Sequence, residues 1–104
     1  MEMIFCFDID GIIAEKEQST DYSFAQPIQQ NITLINKLYN SGHRIILFTA
    51  RGSVTGINWT NVTKKQLKEW NVNYHELHFN KPFADYYIDD RFIDVNELRE
   101  IYDK

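Results

Sequence analysis

The chain has 104 residues, of which 43% are hydrophobic and 14% aromatic. That sets the scale at one compact domain, residues 1–104, and excludes a disordered tail. The formal net charge of −4 argues against a nucleic-acid backbone as the main partner, because such binders carry a basic face. The single cysteine, Cys6, excludes an intrachain disulfide and, set in an apolar run, is expected to be a buried free thiol. The sequence opens on "MEMIFCFD" with no charged segment ahead of a long apolar run, and no run is long enough to span a bilayer. The expectation is a soluble, cytoplasmic protein with no membrane partner, and "NIT", "NWT" and "NVT" then read as chance matches to a glycosylation pattern.

Met3–Phe7 is short and continuously apolar, as suits a parallel strand covered on both faces. Ala14–Gln26 is polar and irregular, a loop or small flap. Pro27 fits a first helical position. Ile28, Ile32, Ile35 and Tyr39 follow at helical spacing, widened by Leu34 and Leu38, and Gly42 ends the helix. "RIILF" (Arg44–Phe48) is a second buried strand, and "TARGSVTGIN" is a loop. Thr63 with Gln66 resembles a capping box opening a helix through Leu67 and Trp70. "VNYHELHF" holds a third, weaker strand, and "DYYID" (Asp85–Asp89) the next. Asp94 with Glu97 signals another helix start before Val95, Leu98, Ile101 and Tyr102. The order β-α-β-α-β-β-α predicts an α/β domain with a mainly parallel sheet.

The polar residues at the strand ends carry the chemistry. Strand one ends in Asp8-Ile9-Asp10, strand two in Thr49-Ala50-Arg51, and the last strand in Asp89-Asp90-Arg91. Lys81 lies just before that last strand. In parallel α/β sheets the carboxyl ends of the strands face one crevice, where ligands bind. Asp8 and Asp10, two residues apart in extended chain, point to the same side about 6–7 Å apart. Four carboxylates gathered without compensation repel strongly. A Mg²⁺ ion removes the repulsion, since it takes a few carboxylate oxygens together with water and substrate phosphate. A hydroxyl, a lysine and an arginine beside such an ion are what phosphoryl transfer needs, because that chemistry depends on positioning and on neutralised oxygen charge.

This set resembles the haloacid dehalogenase (HAD) superfamily over nearly the whole chain. "FDIDG" is similar to its motif I, "LFTAR" to motif II, Lys81 to motif III and "YIDDR" to motif IV. "FTAR", "LKEWNVNYHEL" and "NKPFADYYIDDR" also resemble a narrower group, small HAD phosphatases associated with capsular polysaccharide biosynthesis. The Thr-x-Arg spacing is similar to that of polynucleotide 3′-phosphatases. The resemblance implies a three-layer Rossmann-like (HAD-like) domain with Asp8 as nucleophile and Asp10 as general acid/base. It implies phosphate binding by Thr49, Ala50, Arg51 and Lys81, with Lys81 neutralising charge on Asp8. It also implies Mg²⁺ held by Asp8, Asp10 (through its backbone carbonyl), Asp89 and Asp90, and it gives Arg91 the weakest claim to a role. Ile12 departs from the Thr or Val usual after motif-I Gly, at a position read as packing.

The gaps from Asp10 to Thr49 and from Thr49 to Lys81 are already filled by predicted elements, so no cap domain fits. The site is expected to be open, covered only by the Ala14–Gln26 flap or a neighbouring subunit. Tyr22, Phe24, Asn58 and Trp59 are candidates for its entrance or for packing. No catalytic role falls to the histidines. The expectation is a Mg²⁺-dependent phosphomonoesterase acting on a small phosphorylated metabolite, a sugar phosphate or small alcohol phosphate. A homo-oligomer is consistent with the resemblance, since capless relatives often assemble. The rival readings are a nucleic-acid 3′-end phosphatase, disfavoured by the acidic balance, and a receiver-like phospho-acceptor, which would show a long-lived aspartyl-phosphate.

Overall fold

The structure, a computed structural model, describes residues 2–16 and 21–102. Three parallel strands form its sheet: β1 (Ile4–Asp8), β2 (Arg44–Phe48) and β3 (Glu76–His78), with β2 in the centre. Helix α1 (Gln29–Asn40) connects β1 to β2, helix α2 (Thr60–Glu69) connects β2 to β3, and helix α3 (Val95–Tyr102) follows. Parallel neighbours require such crossovers, and the α/β architecture with a parallel sheet is the one the sequence predicts. The register pairs Phe5 with Ile45, Phe7 with Leu47 and Asp8 with Phe48, and Leu47 with Leu77. Among the described residues, no helix is long and apolar enough to cross a membrane.

The core lies on one face of the sheet. Phe7, Ile9, Ile45 and Leu47 are buried there with Ile32, Leu34, Ile35 and Leu38 of α1, Leu67 of α2 and Leu98 of α3. The predicted α1 stripe is therefore the buried face, and α1 packs on β2 and α3. Ile4 and Cys6, which alternate with Phe5 and Phe7 along β1, are exposed. The buried-thiol expectation for Cys6 fails for that reason: it lies on the face of β1 away from the core. Partial desolvation, and secondarily the Glu76 carboxylate, push the Cys6 thiol up from its ordinary pKa.

Local chemistry ends the first two helices in the same way. Gly42, at φ +95°, lets its N–H reach Tyr39 O while His43 N–H reaches Leu38 O. That is a Schellman closure, which needs the left-handed backbone glycine adopts freely. After α2, Asn71 takes the corresponding place at φ 56°, with Val72 N–H donating to Leu67 O. Asn36 then accepts from Asn73 N–H and donates to Asn71 O, fixing the turn against α1. At the start of α3, the Asp94 carboxylate accepts from Asn96 N–H at 3.1 Å, the N-cap the sequence indicates.

Three further expectations are corrected. Helix α1 starts two residues after Pro27, because residues 13–15 hold the chain extended: Glu15 N–H donates to Gln26 O and Ile28 N–H to Ile13 O. Helix α2 starts at Thr60, not Thr63, with Asn58 Oδ1 accepting the Thr60 N–H. The predicted strand Asp85–Asp89 does not form. The Tyr87 hydroxyl instead donates to Pro82 O and accepts from Ala84 N–H, and Asp89 Oδ1 accepts from Arg91 N–H. Such local bonds offer the backbone an alternative to a ladder. Part of the predicted flap, residues 17–20, lies outside the described residues. The rest contributes a single 3₁₀ turn over Tyr22–Phe24, capped by the Asp21 carboxylate at Ser23 N–H.

Candidate active site

Parallel pairing brings the ends of β1 and β2 level, since Asp8 is the register partner of Phe48. Beyond them the chain turns away at Gly11, φ 99°, with Gly11 N–H closing on Ala14 O. Asp8 and Asp10 therefore sit at the carboxyl edge of the sheet. A cavity of about 500 Å³ opens there, lined by Asp8, Asp10, Lys16, Tyr22, Arg51 and Lys81 among others. Three cations face two carboxylates, so the lining has a formal charge of +1 in a chain of net −4.

Each carboxylate has its own cation. Lys81 Nζ donates to Asp8 Oδ2 at 2.9 Å. Its ammonium also lies 4.5 Å from the centroid of the Phe48 ring and 4.0 Å from that of Tyr87, which orients it through cation–π attraction. Asp8 Oδ1 is not engaged by Lys81. Arg51 grips Asp10 with two bonds, Nε to Oδ2 at 3.0 Å and Nη2 to Oδ1 at 2.9 Å. Such a fork fixes both position and plane of a carboxylate.

Arg51 is itself fully buried, and α2 supplies its other partners. Nη1 donates to Thr63 Oγ1 at 3.0 Å and to Gln66 Oε1 at 2.7 Å. Gln66 Nε2 then donates to Tyr22 O, and the guanidinium carbon stands 4.7 Å over the Tyr22 ring. Trp59 packs edge-on against Tyr22, with ring centroids 5.2 Å apart. Desolvation raises the Tyr22 hydroxyl pKa; the Asp10 carboxylate adds to that and Arg51 partly offsets it. Arg51 therefore positions Asp10, rather than standing free as a clamp for phosphate. Thr63 and Gln66 were assigned to a helix cap by sequence. Their i, i+3 spacing next to the buried Leu67 was the available sign that they belong to a buried polar face.

The remaining candidates divide. Ala50 lines the cavity. Thr49 is fully buried and does not line it; its Oγ1 accepts the Arg51 N–H at 3.0 Å. Phe24 is exposed and outside the lining, and Asn58 accepts from Thr60 N–H in the turn that leads into α2. Asp89 and Asp90 are exposed and do not line the cavity. Among the described residues, no three His, Cys, Asp or Glu side chains gather in a way that could hold a metal ion. The histidines serve the fold: His43 Nδ1 accepts from Met3 N–H, His75 Nδ1 from Ile45 N–H, and His78 pairs with Glu76.

Gly52, at φ +84°, forms the turn beside the cavity, where an added Cβ would meet Ile57 O at 2.2 Å. Gly52→Ala is expected to cost at least about 1 kcal/mol, since it combines a disfavoured φ with a backbone clash. Urea unfolding followed by circular dichroism measures it, and an unchanged midpoint would contradict the steric account.

No family model and no curated protein matches the chain. Solved structures do. A crystal structure of a target protein from Vibrio cholerae is similar with a TM-score of 0.83 and 25% identity, over 99% of this chain and 95% of that one. A chain of a Pnkp1/Rnl/Hen1 complex is similar with a TM-score of 0.58 and 16% identity, over 95% of this chain and 33% of that one, a likeness of fold alone. The Vibrio likeness extends over nearly the full length of both chains. The three parallel strands with their crossover helices are thus an arrangement that solved structures share.

Proposed function

We propose that the protein is a HAD-type phosphomonoesterase working through an aspartyl-phosphate on Asp8, with a sugar phosphate or small alcohol phosphate as substrate and a role in capsular polysaccharide biosynthesis. One observation carries the reading: Asp8 and Asp10, each paired to its own cation, face one cavity of net positive lining at the carboxyl edge of a parallel sheet. A phosphate dianion is drawn to such a site, and Lys81 is placed to share its charge.

In the first step an Asp8 carboxylate oxygen attacks phosphorus, the bond to the leaving oxygen breaks, and Asp10 gives that oxygen a proton. In the second, Asp10 takes a proton from water, the water oxygen attacks phosphorus, and the aspartyl–phosphate bond breaks to restore Asp8 and release phosphate. Asp8 Oδ1 suits attack because Lys81 engages Oδ2. Arg51 holds Asp10 in one orientation for both proton transfers.

The Mg²⁺ ion expected from sequence does not fit the carboxylates of a single chain as folded. Asp8 and Asp10 are both engaged by cations, and Asp89 and Asp90 stand outside the cavity. No step above is routed through the ion. Phosphate release from a panel of sugar and alcohol phosphates, with Mg²⁺ in the buffer, tests the proposal. Steady turnover of at least one member is expected, and none across the panel would reject it.

A further inference from the structure

Two surfaces of the chain are incomplete, and they match each other. Among the described residues β1 pairs with β2 alone, so its outer edge presents open backbone groups. The face above that edge carries Ile4, 66% exposed, and Cys6. The segment between Lys81 and α3 has the opposite character. Phe83, Tyr86, Ile88 and Phe92 are 67%, 84%, 95% and 74% exposed, with the period-2 spacing of Tyr86, Ile88 and Asp90 that a strand needs. A parallel strand open to water is uncommon, and an open edge is a template for another strand.

We propose that the segment around Tyr86–Asp90 adds as a parallel strand to the β1 edge of a second copy of the chain, reciprocally, so that each active site takes Asp89 and Asp90 from its neighbour. The meaning of the site rests on the phosphatase reading; the exchange itself does not.

Three arguments favour this occupant, and the first separates a second copy from closure within one chain. The first is reach. Lys81 is tied to Asp8 at the carboxyl end of β1, and Tyr87 is bonded back to Pro82. To lie beside β1 in the same chain with Asp89 level with Asp8, residues 82–85 would have to descend the whole strand. The direct path combines about 13 Å of strand height with ~4.8 Å sideways to the next strand, about 14 Å in all, which takes up their whole contour of about 13–14 Å and leaves no residue for the reversal the chain would have to make. A segment from another copy has no such tether.

The second is charge. Asp85, Asp89, Asp90 and Arg91 give the segment a formal −2, and the receiving cavity has +1 from Lys16, Arg51 and Lys81 against Asp8 and Asp10. The third is area. Aromatic side chains cover about 150–250 Å² each. The five apolar residues named above, at their exposures, amount to roughly 700–800 Å² per copy, close to the ~800 Å² per partner of a stable interface.

The test has two arms. Light scattering should give the mass of a dimer for the wild-type chain and of a monomer for Ile88→Asp, with unchanged circular dichroism because Ile88 is exposed. Asp8→Asn and Asp89→Asn chains carrying different tags should then be co-expressed and the mixed dimer isolated. Each variant alone should be inactive, while the mixed dimer keeps one intact site of two and about half the wild-type activity. A monomeric wild-type chain at all concentrations overturns the proposal. So does a dimer indifferent to Ile88→Asp, or an inactive mixed dimer of an active enzyme. If the wild-type chain releases no phosphate from any substrate, the phosphatase reading fails, and the mass measurements still decide the exchange.

Discussion

Asp8→Asn is expected to lower the turnover number for phosphate release by at least about 10³-fold while leaving a folded protein, as removal of an attacking group does in covalent catalysis. The substitution conserves shape. An amide oxygen can still accept from Lys81, whose ammonium is also held between the Phe48 and Tyr87 rings. What is lost is the anionic oxygen that forms the bond to phosphorus, and a neutral amide cannot replace it. Steady-state release from an aryl phosphate, beside thermal melts of both proteins, makes the comparison. Near-normal turnover by the variant would remove Asp8 from the chemistry. A stable phosphorylated wild-type chain that fails to turn over would point to a phospho-acceptor.

Arg51→Met is expected to cost about 3–5 kcal/mol of stability, the range for breaking a buried pair from one side. The lower end is the better expectation, because Asp10 retains 19% side-chain exposure and can recruit some water. The loss would not stop at one ion pair: Thr63 Oγ1, Gln66 Oε1 and both Asp10 oxygens lose their donor together. In a domain of this size each kcal/mol moves the melting temperature by about 4–8 °C. The double variant Asp10→Asn/Arg51→Met removes the stranded charge and should recover part of the loss. Equal stabilities of the single and double variants would show that Asp10 does not depend on Arg51. Arg51→Lys should fall between, since an ammonium cannot make the paired bonds to Asp10 and also reach α2.

The strands β1 and β2, the stripe of α1, its glycine stop and the cap of α3 were all legible as sequence, because each depends on local spacing and on residues whose conformational limits are intrinsic. Asp8 and Asp10 were legible for the same reason, as carboxylates closing an apolar run. Their partners were not. That Arg51 would turn inward to Asp10, with Thr63 and Gln66 behind it, depends on how α2 lies against the β2 loop, and no local pattern encodes that angle.

The stretch Asp85–Asp89 marks the division most clearly. Its composition is that of a strand, and so it was read. A strand is completed by its neighbour, however, and as folded Lys81 bonds to Asp8, Tyr87 turns back to Pro82, and the segment pairs with no strand. Sequence by itself determined which segments are apolar enough to pair and which residues carry charge at their ends. Only the tertiary structure decided which ends meet, because meeting depends on chain reach and on contacts between residues distant in sequence, such as Lys81 with Asp8 and Arg51 with Asp10.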